Sequence, residues 1–401
     1  MTARAFQAVL ISSLLATSLS AHASRHAAPH AASTDEAPTA TVLCYHIVES
    51  PQDPRMEIGR DAFRQQMRYL SMTGYNIIPL RELYDYVSGK RASIPRNAVV
   101  ITIDDGWRST YTEVFPEMQK LGFPFTVFIY PRIIGQTSHA LSWKQVKEMS
   151  DAGVDIESHS FSHPFLTKRR HAALDDRNYY QWLDRELEGS KKMIEHETGH
   201  TVSFLAYPYG DYDHYLVAAC ARAGYAAALT CDFGRVKKAS DPLRMKRFVI
   251  DKRMDFAAFR RYLGAGSMRV QDITPMPNQV FEPEQPIVIS AKIPNHESLD
   301  PKSIGMALIT PGKVNPFSYD AQNGSISMIL GDAFETLKGK SLRALIWATD
   351  KAGKRLEATW VFHVPEQQLP TNPPPAAQPS SLAPAGVIAG AGTSGAKSSP
   401  R

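Results

Sequence analysis

A long alternation of strand-like and helix-like segments, running from Thr41 to about Gly264, restricts the fold more than any other feature of this chain. "TVLCYHIV" is a continuous apolar, β-branched run that predicts a strand. "DAFRQQMRYLSMTG" follows it and puts Phe63, Met67 and Leu70 on one face of a helix. The series continues with strand "YNIIPL", helix "RELYDYVSG", strand "AVVITIDDG", a helix through Met118, and strand "FPFTVFIY". Next come helix "WKQVKEMSDAG", strand "VDIESHS", a long helix from about Asp175 to His196, strand "SFLAYP", helix "DHYLVAACARAGY" and strand "AAALT". Strand "RFVI" and helix "DFAAFRRYL" close it. So many successive βα units predict an α/β domain over 41–267, a parallel sheet curled into a barrel. From Met268 the pattern changes to short alternating runs such as "SISMILG" and "SLRALIWATDKAG", which predict a small antiparallel, Ig-like β-sandwich over 268–364.

The flanks read differently. A basic start, the apolar run "FQAVLISSLLATSL" and the small residues "AHA" predict a signal peptide over 1–23, and the apolar run is shorter than the roughly 18 residues a membrane span requires. The mature chain is therefore expected to be exported, periplasmic or secreted, with no stable transmembrane segment. Residues 24–40 read as a flexible lead-in, and the Pro/Ala/Ser/Gly-rich stretch 365–401 as a disordered tail. The net charge of +5 is small for 401 residues and is scattered, so no nucleic-acid partner is expected. Of three cysteines, Cys44 and Cys220 read as small buried apolar side chains, with a Cys220–Cys231 bridge as the alternative.

Active sites of parallel α/β folds collect at the carboxyl ends of strands. Three such ends here carry polar groups. "VVITIDDG" runs straight into Asp104 and Asp105, and buried strands seldom finish on two adjacent charges without a use for them. "IESHSFSHPF" sets His159 and His163 four apart; with a carboxylate from another strand they supply three ligands to a divalent ion and leave a position for water. In "FLAYPYGDY" the turn at Pro208 and Gly210 lets Tyr207 and Tyr209 wall a cleft, with a backbone N–H aimed at developing negative charge. Trp107, just after the Asp pair, is expected to stack on a sugar face on the strength of the resemblance set out next.

In this order and at these separations, "TIDDG", "HSFSH" and "AYPYG" resemble three motifs of the polysaccharide deacetylases, the NodB-homology or carbohydrate esterase family 4. The likeness spans Thr41 to Leu263. It implies a distorted barrel that removes acetyl groups from sugars with a divalent metal ion, Zn²⁺ first, with Co²⁺ or Ni²⁺ as alternatives. By position, Asp105, His159 and His163 correspond to the metal ligands, Asp104 to the general base, and the Tyr209 N–H to the oxyanion donor beside Tyr207 and Pro208. Two departures stand out. Ala206 occupies a position where commoner members have arginine to orient the base, and "MKRFVID" lacks the family's late catalytic histidine. Lys246 or Arg247 is expected to orient the base instead.

"VLCYHIV" offers His46 as the replacement acid, or as a group contacting the reacting acetyl. Such Tyr-His openings occur in the subgroup similar to exported poly-β-1,6-N-acetylglucosamine deacetylases. An N-acetylhexosamine exopolysaccharide of the biofilm type is therefore the expected substrate. Peptidoglycan or chitin oligosaccharide is the enzymatic alternative, and an inactive carbohydrate-binding or scaffold protein the non-enzymatic one. The C-terminal sandwich is expected to act as a spacer or to dock a partner.

Overall fold

The computed structural model describes residues 37–364 apart from 49–55, 172, 253, 265, 277–286, 309–315, 331–336 and 338. The expected signal peptide, most of the lead-in and the tail lie outside the described residues. Among those residues, no helix is long and apolar enough to cross a membrane.

The first unit contains β1 (Ala40–Tyr45), β2 (Ile47–Val48), β3 (Glu57–Ile58), β4 (Asn76–Ile77), β5 (Ala98–Asp105), β6 (Thr126–Ile129), β7 (Asp155–Ser158), β8 (Phe204–Ala206), β9 (Ala227–Leu229) and β10 (Phe248–Val249). Seven of these pair in parallel in the order β10-β1-β5-β6-β7-β8-β9. Strand β5 is the pivot. One of its edges pairs with β1 throughout, while the other takes β4 at Ala98 and Val99 and β6 from Thr102 onward. The ring closes through the segment leading into β10: Met245 bridges Leu229 of β9, and Phe248 then pairs with Leu43 of β1. This closure by single bridges is the distortion of the barrel.

Seven helices, α1 (Arg60–Met72), α2 (Leu80–Val87), α3 (Phe115–Leu121), α4 (Trp143–Asp151), α5 (Asp176–Thr198), α6 (His214–Arg222) and α7 (Phe256–Gly264), follow the strands. Their ends are chemically marked. Ser142 and Gln145 form a capping box on α4, Asp175 caps α5, and Gly122 and Gly199 close α3 and α5 in the left-handed conformation. The apolar face of α1 packs Phe63, Met67 and Leu70 against the outside of the sheet. Each such burial is worth about 1.5–3 kcal/mol. After β5 the chain makes a π-helix, Thr110–Val114, before α3, so the expected helix through Met118 is split in two. Insertions of this kind often mark a functional site.

The second unit holds β11 (Gly266–Ser267), β12 (Gln271–Thr274), β13 (Ile287–Lys292), β14 (Gly305–Leu308), β15 (Phe317–Asp320), β16 (Ser325–Leu330), β17 (Ser341–Thr349) and β18 (Arg355–His363). They form two sheets, β11-β18-β17-β14 and β12-β13-β16-β15, antiparallel except where β11 joins β18. Inward residues of both, among them Ile289, Met328, Ile346 and Phe362, make one core. The barrel touches this unit through Thr359, whose hydroxyl donates to the Phe233 carbonyl at 3.0 Å and whose carbonyl accepts from Lys246 Nζ at 3.2 Å.

Candidate active site

Successive side chains along a strand point to opposite faces, so Asp104 and Asp105 should diverge. They do not, because Asp105 has φ +79°, a left-handed conformation that turns its carboxylate back toward the centre. His159 Nε2 lies 3.4 Å from Asp105 Oδ1 and 3.8 Å from Asp104 Oδ2, and His163 Nε2 lies 3.4 Å from the same Asp105 oxygen. Ser160, His163 and Tyr209 are also left-handed, at φ +63°, +57° and +61°. Such backbone costs of order 1–3 kcal/mol per residue and is held only where the surroundings over-determine it. Its concentration on the three motif loops marks them as the working end of the barrel.

The surroundings are identifiable. Glu186 of α5 accepts from Phe161 N (3.1 Å), Ser162 N (2.9 Å) and Ser162 Oγ (2.6 Å), pinning the His159–His163 loop from below. The Ser160 hydroxyl accepts from His163 N at 3.0 Å. Gly210 is pressed against Cys231 so closely that a Cβ there would stand 2.5 Å from the Cys231 Cβ and 2.7 Å from its backbone nitrogen.

The three groups fit a divalent ion on several counts. The ligand atoms of Asp105, His159 and His163 lie within 4.8 Å of one another, and the two 3.4 Å separations match those between tetrahedral ligands at about 2.1 Å from a common centre. His159 Nδ1 donates to the Ala206 carbonyl at 2.7 Å, which leaves Nε2 as the free lone pair. Trp107 Nε1 donates to Asp105 Oδ2 at 3.0 Å, which leaves Oδ1 facing the histidines. Burial, followed by the nearness of His159, brings His163 down to about 4, so it is neutral and able to ligate. Burial opposes charge on His159, but Asp104 and Asp105 outweigh it and raise its pKa. The centre therefore carries an excess of negative charge that a cation relieves.

Asp104 is 1% exposed and has a different partner. Arg247 grips it in a two-pronged ion pair, Nη1 to Oδ1 and Nη2 to Oδ2, both 2.8 Å, and is itself fully buried. The guanidinium also donates to the Thr230 carbonyl (3.0 Å) and Thr102 Oγ1 (3.3 Å). Burial alone would raise the Asp104 carboxyl; Arg247, with His159, outweighs burial and holds it below the ordinary carboxylate range. Cys44, His46 and Asp104 form a second ligand-like group, but with both Asp104 oxygens on a guanidinium it is a poor place for a cation.

Of the two residues expected to orient the base, then, Arg247 holds Asp104, whereas Lys246 reaches the Thr359 carbonyl of the second unit. Tyr207 does not wall a cleft: it is fully buried, stacked on Tyr212 and bonded to the Leu243 carbonyl, because the strand end turns its ring outward into the helix layer. Pro208 beside it is buried as well. Tyr209 is 55% exposed, with its ring 4.6 Å from His163 and stacked 4.1 Å from Phe165. Trp107, expected to offer its face to sugar, has its indole N–H committed to Asp105. His46 Nδ1 is buried without a hydrogen-bond partner among the described residues, close enough to influence both aspartates. All three cysteines are free, so the Cys220–Cys231 bridge is not formed, and the Cys44 thiol donates to Asp104 Oδ2 at 3.5 Å. Sequence reasoning missed Glu186, whose only local signal was an acid amid the apolar face of a long helix.

The parallel barrel thus carries a carboxylate–histidine cluster at its strand ends. Residues 91–228 match the family described as polysaccharide deacetylase. A putative polysaccharide deacetylase of Bacillus subtilis (strain 168) is 25% identical over 230 residues, 57% of this chain and 78% of that protein. A poly-beta-1,6-N-acetyl-D-glucosamine N-deacetylase of Escherichia coli (strain K12) is 32% identical over 81 residues, which is 20% of this chain and 12% of that protein. In fold, the chain resembles a Streptococcus pyogenes deacetylase in complex with acetate (TM-score 0.51, 22% identity, 57% of this chain and 99% of that one). It also resembles a de-N-acetylase from Aggregatibacter actinomycetemcomitans (TM-score 0.50, 20% identity, 56% and 99%).

Proposed function

We propose that the protein hydrolyses N-acetyl groups of an N-acetylhexosamine polysaccharide in a metal-dependent reaction, with a poly-β-1,6-N-acetylglucosamine exopolymer as the favoured substrate. The observation that carries the reading is the division of labour between neighbours: Asp105 turns to join His159 and His163, while Asp104 is held apart by Arg247. The short stretch of likeness to the Escherichia coli enzyme supports the choice of polymer.

Asp105 Oδ1, His159 Nε2 and His163 Nε2 would hold the ion. When bound, a divalent cation supplies Lewis acidity and makes water ionisable near neutral pH. Asp104, fixed by Arg247 and anionic across the working range, accepts the proton of the attacking water. The left-handed turn at Tyr209 offers a backbone N–H to the acyl oxygen as negative charge develops there. His46 gives a proton to the departing amine from its unpartnered imidazole. Tyr209 and Phe165, stacked at the rim, supply an aromatic surface for a pyranose ring.

The test is release of acetate and free amine from β-1,6- and β-1,4-linked N-acetylglucosamine oligomers, with and without Zn²⁺, Co²⁺ or Ni²⁺. Faster release from the β-1,6 series is expected. Release from neither series with any metal would refute the reading and favour an inactive carbohydrate-binding protein. Asp104→Asn is expected to lose about 10²–10⁴ in kcat with metal retained, and His163→Ala to lose the metal itself.

A further inference from the structure

Two of the three cysteines meet inside the barrel, against the pair that the proposed reaction uses. Cys44 Sγ lies 3.5 Å from Asp104 Oδ2, and Cys231 Sγ lies 3.8 Å from Arg247 Nη2, the nitrogen that grips the same carboxylate oxygen. Both thiols therefore lie against one ion pair. The reaction above needs neither of them.

Their environments differ in the way an attacking and a resolving thiol differ. Cys231 is partly exposed and cationic side chains flank it. Arg247 stands beside it, and the charge of Arg343 of β17, whose Nε is buried without a hydrogen-bond partner among the described residues, acts on it as well. Nearby Cys44, together with these guanidiniums, overcomes burial and brings the Cys231 thiol down to about 5. Burial pushes Cys44 well up, which keeps its proton on. Cys220, sealed in α6, is pushed up to about 12 and has no part in the pair.

We propose that Cys231 is an oxidation site with Cys44 as its resolving thiol, and that the resulting Cys44–Cys231 disulfide shuts down the site it abuts. A hydroperoxide is the oxidant. The Cys231 thiolate attacks a peroxide oxygen, the O–O bond breaks, and hydroxide or alkoxide leaves with the electron pair while Cys231 becomes a sulfenic acid. Cys44 then gives up its proton and attacks that sulfur. The S–S bond forms, the S–O bond breaks, and the expelled hydroxide leaves as water with the Cys44 proton. Two electrons pass from the thiols to the peroxide.

The bond reaches the catalytic groups by two routes. It draws Cys44 Sγ from its place against Asp104, and it shifts a Cys231 side chain on which Gly210 packs with no room to spare. Gly210 follows Tyr209 in the turn that faces the acyl oxygen. The effect on turnover rests on the deacetylase reading, whereas bond formation does not.

The experiment treats the reduced full chain with one equivalent of hydrogen peroxide, alkylates the remaining thiols, and maps peptides by mass. The expected result is a monomer about 2 Da lighter, with Cys44 and Cys231 cross-linked and Cys220 alkylated. Acetate release should fall about 10²-fold, the cost of a misplacement near 1 Å, and return with dithiothreitol. Cys231→Ser, compared with its own untreated rate, should lose the response. Cys44→Ser should stop at a sulfenic acid that dimedone traps. A bond to Cys220, a bridge between chains, no mass change, or a cross-linked protein that keeps its rate would overturn the proposal. Because the bond is read without substrate, a reduced protein that releases no acetate would refute the deacetylase reading alone.

Discussion

Replacing Arg247 with methionine removes a cation from a pocket in which neither it nor its partner meets water: Arg247 and Asp104 are both 1% exposed. Methionine fills much of the volume and leaves the Asp104 carboxylate buried with no counter-charge. Breaking a buried ion pair from one side typically costs about 3–5 kcal/mol. For a barrel of this size that corresponds to a fall in Tm of about 6–20 °C. The pH dependence gives a sharper signature. Arg247 keeps the Asp104 carboxyl below its unfolded value, so the pair stabilises the fold above about pH 3.9 and is lost as pH falls through the depressed folded value. In the variant, burial is opposed by His159 without the guanidinium, so the carboxyl rises and takes up a proton on mild acidification. The deficit against the parent protein should be largest at pH 7 and shrink toward pH 5. Denaturant unfolding at both values measures it, and adding Asp104→Asn to the variant should recover part of the loss. A deficit below about 1 kcal/mol at pH 7 would refute the reasoning, as would one unchanged at pH 5.

Three further perturbations test the supports of the site. Trp107→Phe keeps the ring and deletes the donor to Asp105 Oδ2, and should weaken Zn²⁺ about 10–100-fold by calorimetry, whereas unchanged affinity would return Trp107 to a packing role. Glu186→Ala strands the Phe161 and Ser162 backbone N–H groups, so unfolding should cost about 1–3 kcal/mol less for each one left unpaired, with Zn²⁺ affinity falling as His163 loosens. Gly210→Ala forces a side chain against Cys231 at φ +66° and should destabilise the barrel by about 1–3 kcal/mol; a thermal midpoint equal to the parent's would show that the turn yields.

The βα alternation was legible because each strand and helix carries its own period, and the polar residues of the three motifs stood out because they interrupt those periods. What the sequence did not show depends on backbone conformation or on distant pairing. Nothing local announces that Asp105 is left-handed, yet that dihedral brings both carboxylates to one centre. The choice between Lys246 and Arg247 turns on which of two adjacent side chains points inward, and a strand as short as β10 has no alternation long enough to read. Tyr207 was placed by chemistry, as an aromatic near a turn, when packing against Tyr212 decides its position. Cys231 meets Cys44 only because the ring closes through Met245 and Phe248.

That closure also sets an order of assembly. Asp105, His159 and His163 are all in place on the chain well before Arg247, which lies 143 positions beyond Asp104. A chain made from its N-terminus thus completes the Asp105, His159 and His163 set while Asp104 still lacks its Arg247 partner, and long-range contacts of this kind form late. The residues that match the family, 91–228, end before the clamp and begin after His46. A fragment cut at those bounds would retain the ion's donors without the apparatus that puts them to use, so metal content alone is a poor measure of a finished enzyme.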